Sequence, residues 1–230
     1  MAGTTDNPFL TINGEPIYFA EDWDTGIGGG LWSTGLAMAK YFELQKKQCD
    51  DNIQQSLGSD VLLDVLELGS GNGFLSVCLL ALLKGKIRHL VVTDLSDHLP
   101  LMTRTLNANR HLAIDKVTVM EHQWGQFLES AESDDSIASR VNCGAQKFDL
   151  LVGSDVAYHP DLYDILIRSL VQFSGTTSVI LLGVTMRDTT PAFFHKLCDN
   201  GFIYERLADH LLPLEFRGNT FGIFVVKKSG

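Results

Sequence analysis

An acidic residue followed by a glycine-rich turn is the first stretch of this sequence that could bind a ligand. Glu67 stands two residues before the run Gly69-Ser70-Gly71-Asn72-Gly73. Glycine accepts positive φ angles and has no Cβ, so a ligand can approach the backbone closely here. A carboxylate beside the turn would repel a pyrophosphate and attract an ammonium group. The stretch therefore favours a cationic cofactor that carries an amino acid.

The spacing of the glycines distinguishes this turn from the dinucleotide-binding fingerprint. That fingerprint has glycines at relative positions 1, 3 and 6, whereas here they fall at positions 1, 3 and 5 and Phe74 takes the sixth place. S-adenosylmethionine, a sulfonium that bears an amino acid, fits an acidic turn better than NAD does. A plain tight turn without a ligand is the alternative interpretation.

Two further residues with binding chemistry stand where apolar runs end. Asp94 follows Leu90-Val91-Val92-Thr93, and Trp124 follows the next apolar run. The carboxylate of Asp94 can accept hydrogen bonds from both ribose hydroxyls of an adenosine, and a tryptophan ring can form an apolar wall for adenine. Asp94 could instead cap the following helix, although Ser96 or Asp97 suits that role better, and Trp124 could be a core residue.

The run Ser154-Asp155-Val156-Ala157-Tyr158 places a carboxylate and a phenol after a fourth apolar segment. Methyl transfer from a sulfonium to an amine needs an unprotonated amine in line with the methyl group. Deprotonating a lysine at pH 7 costs roughly 4.6 kcal/mol, because its pKa lies about 3.4 units higher. Asp155 could bind the ammonium and relay its proton, while Tyr158 hydrogen-bonds the amine and lines its channel. A helix cap ahead of Pro160 is the alternative for Asp155.

A parallel sheet would bring these residues together, because such sheets bind ligands at the carboxyl ends of their strands. Apolar runs alternate with helical patterns along the chain, which predicts right-handed β–α–β units. The last two strands have no long helix between them and are expected to pair antiparallel. Strands are predicted at 61–67, 89–94, 116–121, 148–154, 178–184, 202–207 and 221–227, and helices at 33–47, 73–84, 97–110, 160–173 and 189–199.

The predicted fold class is therefore α/β. We expect a Rossmann-like, seven-stranded, mostly parallel sheet whose last strand is antiparallel, with helices on both faces. We expect one domain over residues 1–230, in which an N-terminal extension at 1–58 precedes the core at 59–230. Asn13-Gly14 between apolar runs indicates a hairpin in the extension. A helix follows, with Ser33 or Thr34 as its expected N-cap.

Composition narrows the class of protein. The 230 residues include 28 acidic and 18 basic side chains, a net charge of −10. This balance argues against binding nucleic acid through its phosphates and is compatible with a basic partner. No apolar run approaches the roughly 20 residues that cross a bilayer, and the N-terminus lacks the features of a secretory signal. The polar stretch near 125–147 is expected to be a surface insertion, with a short helix or as a solvated loop.

The four cysteines and seven histidines show no metal-binding spacing. We therefore expect no metal site and reduced, mostly buried thiols, as in the cytosol or nucleus. His159 adjoins Tyr158 and could influence proton movement, but a surface position before Pro160 is the expected one.

In their order along the chain, these motifs resemble those of the family-16 protein methyltransferases, seven-β-strand lysine methyltransferases that modify chaperones, elongation factors and related ATPases. The resemblance extends roughly from Gly26 to Val226. Its glycine loop is common to all class I methyltransferases, and the other motifs are more specific. The motifs are Gly28-Gly29-Gly30-Leu31-Trp32-Ser33-Thr34-Gly35-Leu36-Ala37, Leu66-Glu67-Leu68-Gly69-Ser70-Gly71-Asn72-Gly73, Val92-Thr93-Asp94, Trp124-Gly125 and Ser154-Asp155-Val156-Ala157-Tyr158.

The resemblance implies a protein-lysine N-methyltransferase with S-adenosyl-L-methionine as its cofactor. It assigns Asp155 and Tyr158 to catalysis and the substrate channel. Ser154 is often alanine in members of the family, a difference that is not expected to affect binding. The substrate does not carry over, because substrate choice lies in variable segments. The cofactor positions implied are Trp32, Gly69, Ser70, Gly71, Asp94, Trp124 and Ser154, to which the charge argument above adds Glu67.

Other functions stay open at this stage. The acceptor could be an arginine, a small molecule or a nucleic acid, although enzymes that methylate base amino groups typically show Asn-Pro-Pro-Tyr where Asp155 to Tyr158 stand. A non-catalytic S-adenosylmethionine-binding interaction protein is a third possibility, against which the intact Asp94, Trp124, Asp155 and Tyr158 argue. We expect a monomer in the cytosol or nucleus that acts on a protein partner, without nucleic acid or membrane.

Overall fold

The computed structural model describes residues 7–46, 61–126, 147–218 and 220–229, and its centre is a seven-stranded sheet. A short hairpin precedes the sheet, and its turn takes positive φ at Asn13 (51°) and Gly14 (81°), as the Asn-Gly pair predicts. The hairpin strands are β1 (Leu10–Ile12) and β2 (Glu15–Ile17). The sheet strands are β3 (Leu63–Leu68), β4 (Ile87–Asp94), β5 (Val117–Glu121), β6 (Phe148–Ser154), β7 (Ser174–Thr185), β8 (Phe202–Arg206) and β9 (Phe221–Lys228).

Helices alternate with these strands, which confirms the predicted β–α order. The helices are α1 (Ser33–Leu44), α2 (Phe74–Leu82), α3 (Leu99–Ala108), α4 (Tyr163–Phe173) and α5 (Pro191–Asp199). Short 3-10 turns lie at Trp23–Thr25 and Ile27–Gly29, in the segment between β2 and α1 that we call the N-terminal arm, and at Ser96–His98 before α3.

The order of the strands places the ligand crevice. The sheet runs β5-β4-β3-β6-β7-β9-β8, in which β3 to β7 are parallel and β9 is antiparallel to both of its neighbours. From β3 the chain adds strands on one side, and from β6 on the other, so the direction of winding reverses between these two strands. Ligands of such sheets bind outside the carboxyl ends at this point.

Both faces of the sheet are buried, as a continuously apolar parallel strand requires. On one face, Val65 and Val92 pack with α1, α2 and α3 and with the hairpin. On the other face, Leu66 and Val91 pack with α4 and α5. The strands are thus held rigidly from both sides, and the residues at their carboxyl ends are positioned by the core.

The structure contradicts one local prediction, the N-cap of α1, and does not describe most of the region of another, the surface insertion. The expected N-cap role of Ser33 or Thr34 is wrong: α1 begins at Ser33, its N-cap residue is Trp32, and no side chain caps it. Thr34 is fully buried and faces β7 instead, with its hydroxyl 3.3 Å from that of Thr185. The predicted insertion near 125–147 falls almost wholly at 127–146, outside the described residues.

Candidate active site

A cavity of about 340 Å³ opens at the carboxyl ends of β3, β4, β6 and β7, beneath the N-terminal arm and the start of α1. This volume is in the range of small-molecule sites. The sequence-predicted residues that line it are Trp32, Gly69, Ser70, Gly71, Asp94, Trp124, Ser154, Asp155 and Tyr158. Residues separated by up to 126 positions in the sequence therefore meet around one cavity, as their places at the ends of parallel strands predict.

The glycine turn needs its glycines for two separate reasons. Gly69 and Gly71 have φ angles of 63° and 58°, which L residues rarely adopt. Both are also crowded: a Cβ on Gly69 would lie 2.8 Å from Val156 Cγ1, and one on Gly71 would lie 2.6 Å from Gly28 O. The turn is a close-fitting cradle whose backbone faces the cavity without side chains.

Asp94 is fixed at the end of β4 by main-chain donors. The Gly71 N–H donates to Oδ2 and the Leu95 N–H donates to Oδ1, both at 2.7 Å. The carboxylate therefore ties the glycine turn to the neighbouring strand. It caps no helix, and neither Ser96 nor Asp97 provides a side-chain cap for the following turn. Lone pairs remain on both oxygens of Asp94, which lines the cavity.

The two tryptophans lie on the cavity wall in different settings. Trp32 is 43% exposed, and its indole N–H donates to the Ile27 carbonyl at 2.7 Å. Trp124 packs partly against the core and lies against the glycine turn, since its Cζ2 would be 3.0 Å from a Cβ on Gly69. The core alternative for Trp124 is thus partly correct, because the same ring serves both the core and the cavity.

Buried hydrogen bonds to Ser169 hold the backbone next to Trp124. The Gly125 N–H donates to Ser169 Oγ at 2.9 Å, and His122 Nε2 lies 2.9 Å from the same oxygen. Burial lowers the pKa of His122 to about 4, so the ring is neutral at neutral pH. Ser169 of α4 therefore holds the backbone at Gly125, 44 residues away in sequence, and with it the position of Trp124.

Glu67 lies behind the glycine turn and is fully buried, outside the set of side chains that line the cavity. The Ser76 hydroxyl of α2 donates to Oε2, while Oε1 has no hydrogen-bond partner among the described residues. Burial raises the pKa of Glu67 to about 7, and the nearby Asp94 carboxylate adds to the rise. Direct contact of Glu67 with a cofactor stays a prediction, and its position favours support of the turn from below.

Asp155 has the least common backbone conformation in the site. Its φ of 53° is in the left-handed region, which aspartate tolerates better than most residues. Its N–H donates to Gly183 O at 2.8 Å, and Oδ1 accepts from both the N–H (2.9 Å) and the hydroxyl (2.8 Å) of Thr185. Asp155 is thus clamped to the end of β7 and caps no helix. The 3-10 turn after Pro160 is capped by His159.

Opposing influences act on the ionisation of Asp155. Burial raises its pKa and the Asp188 carboxylate adds to the rise, whereas hydrogen bonds from Thr34 and Thr185 lower it. Tyr158 lines the cavity and is 38% exposed, and burial followed by the field of Asp94 raises the pKa of its phenol. His159 is largely exposed and lies 3.8 Å from Asp161, as its expected surface position implies.

Several lining residues were missed by the sequence reasoning: His98, Thr185 and Asp188. Thr185 and Asp188 follow β7, so applying the strand-end rule to this fifth strand would have found them. His98 follows Asp94 by four residues and carries no motif of its own. The lining contains the carboxylates of Asp94, Asp155 and Asp188 and, within the described part of the chain, neither lysine nor arginine. The cavity thus suits a cationic ligand.

A comparison with known protein families gives a match over residues 12–200 to the family described as lysine methyltransferase. The chain belongs to the lysine methyltransferase family. The matched span includes the whole cavity lining named above. S-adenosyl-L-methionine is accordingly the cofactor, and the chain is an S-adenosylmethionine-dependent protein-lysine N-methyltransferase.

Individual relatives agree with the family. A protein N-lysine methyltransferase, METTL21A of Mus musculus, is 25% identical over 196 residues, which cover 83% of this chain and 76% of the relative. EEF1A lysine methyltransferase 3 of Xenopus tropicalis is 27% identical over 182 residues, covering 78% and 68%. Among solved structures, the putative methyltransferase SMU.776, complexed with SAH, superposes with a TM-score of 0.54 at 15% identity, covering 98% of this chain and 57% of that one, which supports the fold.

The residues of this methyltransferase fit its cofactor. The glycine cradle lets a nucleoside approach the backbone, Asp94 offers acceptors for hydroxyl groups, and the acidic lining suits a sulfonium and an ammonium. When bound, S-adenosylmethionine supplies a methyl group activated by a positively charged sulfur. No group of three or more His, Cys, Asp or Glu within the described ranges could hold a metal ion, and no helix there is long and apolar enough to cross a membrane.

Proposed function

We propose that this methyltransferase modifies the Nζ atom of a lysine on a protein of the cytosol or nucleus, with Asp155 and Tyr158 as its catalytic residues. The observation that supports this most is their position: the Asp-x-x-Tyr pair shares one cavity with the glycine cradle and Asp94. An acceptor that enters past Tyr158 meets the carboxylate of Asp155 on the way to the cofactor side.

The acceptor arrives as an ammonium, which cannot attack a methyl group. Both donors of Thr185 go to Oδ1 of Asp155, so we assign the binding of the incoming cation to Oδ2. Losing a proton at pH 7 costs a free lysine roughly 4.6 kcal/mol. Burial of the amine lowers the lysine pKa and so reduces this cost, whereas the charge of a nearby carboxylate favours the ammonium. The contribution of Asp155 is therefore to bind and orient the amine and to accept or relay its proton.

Tyr158 and Asp188 act at the entrance in this proposal. The phenol ring of Tyr158 borders the path of a lysine side chain and can make cation–π contact with its ammonium. Asp188 also lines the cavity, and its charge raises the pKa of Asp155. The name of the Xenopus relative says that it methylates lysine on EEF1A. An elongation factor is therefore one candidate substrate class for this chain, beside the chaperones that the family resemblance implies.

The experiment is methyl transfer from labelled S-adenosylmethionine into a cell lysate. Label is expected in protein bands that survive nuclease, and mass spectrometry of those bands should find methylated lysine. Asp155→Asn keeps the size of the side chain and removes its charge, whereas Asp161→Asn is a matched change at an exposed position outside the cavity. The proposal is contradicted if Asp161→Asn lowers labelling as much as Asp155→Asn does, or if the label is found on arginine.

A further inference from the structure

His98 lines the cavity but belongs to neither the glycine turn nor the Asp155–Tyr158 pair. It ends the 3-10 turn Ser96–His98 and borders the cavity beside Asp94. Only 6% of the residue is exposed. A buried imidazole at a ligand cavity is expected to have its polar atoms matched, because an unpaired buried nitrogen is costly.

One ring nitrogen of His98 is matched by carboxylates. Its Nδ1 atom lies 2.7 Å from Asp97 Oδ1 and 3.6 Å from Asp94 Oδ1. An ionised carboxylate only accepts hydrogen bonds, so Nδ1 must carry the hydrogen that is donated to Asp97. In the neutral ring, the other nitrogen then has a free lone pair and is an acceptor.

That other nitrogen, Nε2, is buried and has no hydrogen-bond partner among the described residues. Its position is defined by the arm above it: a Cβ on Gly28 would lie only 2.6 Å from Nε2 and 3.2 Å from Gly71 Cα. The unpaired acceptor therefore lies where the N-terminal arm, the glycine turn and the end of β4 meet.

The neighbouring acceptor, Asp94, is already partly used. Each of its oxygens accepts one main-chain N–H, from Gly71 and from Leu95. An adenosine ribose has two adjacent hydroxyl groups that both need acceptors when they are buried. The unpaired Nε2 of His98 is a second acceptor at the same end of β4.

We propose that His98 Nε2 accepts a hydrogen bond from one ribose hydroxyl of the cofactor while Asp94 accepts from the other. His98 is then a cofactor-binding residue whose orientation is fixed by Asp97. The assignment rests on the proposed ribose contact of Asp94, and the two can fail separately.

Calorimetric titration with S-adenosylhomocysteine and its 2′-deoxy and 3′-deoxy analogues tests this. The wild-type protein should lose about three- to tenfold in affinity for each missing hydroxyl. His98→Met, which has no ring acceptor, should bind S-adenosylhomocysteine about three- to tenfold more weakly and become insensitive to removal of one hydroxyl, while the other still matters. His98→Gln retains an acceptor near the position of Nε2 and should recover part of the sensitivity.

Several outcomes overturn the proposal. If a folded His98→Met protein responds to both deoxy analogues as the wild type does, His98 does not bind the ribose. If both His98 variants fail to fold, the wild-type response decides alone: insensitivity to both hydroxyls contradicts the proposal. His195→Phe, an exposed change on α5, should alter nothing. A wild-type protein that binds no S-adenosylhomocysteine would instead contradict the whole cofactor site, including Asp94.

Discussion

The two sides of the cavity are built by different means. On the cofactor side, glycines with positive φ form a cradle that is tied to Asp94 through its own main chain. On the acceptor side, the key geometry comes from side chains, because Asp155 is held by Thr185 at the end of β7 and influenced by Thr34 of α1. In the proposed function, backbone shape therefore positions the cofactor, whereas side-chain hydrogen bonds hold the residue that activates the acceptor.

This difference predicts that the two sides can be damaged independently. The largest effect is expected from Asp155→Asn, which should lower methyl transfer by at least about 100-fold, because the group that binds and deprotonates the ammonium is lost. Affinity for S-adenosylmethionine should change little. The rate of label transfer into the lysate substrate and a calorimetric titration measure the two quantities. Equal loss of rate and of cofactor affinity would contradict a separation between the sides.

Glu67→Gln tests the buried support of the cofactor side. The pKa of Glu67 is raised to about 7 in the folded state, above its usual value near 4.5. The folded protein thus holds a proton that the unfolded chain releases, so the free energy of unfolding should fall as the pH rises from 4.5 to 7, by roughly 3 kcal/mol.

The Gln variant should lack this decline, since its side chain does not titrate. Urea unfolding of both proteins at pH 5 and pH 8 gives the comparison, with Glu205→Gln on exposed β8 as the matched change. Other shifted groups are common to all three proteins and cancel in the differences. Parallel pH dependence of wild type and Glu67→Gln is the result that would contradict the buried, neutral carboxyl.

Gly71→Ala tests the cradle itself. The substituted residue would have both an unfavourable positive φ and a Cβ 2.6 Å from Gly28 O. Gly85→Ala is a matched control, because Gly85 has a φ of 79° with open space around its Cβ position. Both changes should cost about 1 kcal/mol of stability through φ, but only Gly71→Ala should weaken cofactor binding, by about tenfold or more. Equal affinities in the two variants would show that the close fit is dispensable.

The smallest effect concerns the acceptor side. Thr185→Val removes the hydroxyl bond to Asp155 and leaves the main-chain bond, a loss of about 1 kcal/mol. Because that hydroxyl lowers the pKa of Asp155, its removal should raise this pKa further, and the acidic limb of the activity profile should move to higher pH. Thr103→Val, an exposed hydroxyl on α3, should leave the profile unmoved.

The same contrast explains what the sequence could predict. The glycine turn, Asp94 and the Asp-x-x-Tyr run are local patterns at the ends of apolar strands, so their meeting in one cavity follows from the topology. Thr34 and Thr185 are single residues 151 positions apart, and only the packing of α1 on β7 makes them neighbours. Helix-capping preferences favoured Ser33 or Thr34 as the N-cap, but burial of Thr34 against β7 determines its actual role.

Burial also keeps the side chain of Glu67 out of the cavity lining, although it was expected to contact the cofactor. Its place beside the glycine turn was correctly inferred from spacing, yet the direction of its side chain depends on strand pleating and on Ser76 of α2. His98 was missed for a related reason, since neither a pattern nor a neighbour in sequence distinguishes it from a surface histidine. Strand-end position is thus readable from sequence, whereas side-chain direction needs the packed structure.

The place of β9 in the sheet has a consequence for biosynthesis. This strand is antiparallel between β7 and β8, and Phe221 pairs with Thr185. A single domain generally folds as a unit, so the cavity at the strand ends should form only when the later strands of the sheet have also been synthesised. Asp155 is held by the edge of β7 that faces β6, and the opposite edge gains its partner β9 only after residue 221 has left the ribosome. Newly made protein should therefore bind the methyl donor and transfer its methyl group only once β9 has been added to the sheet.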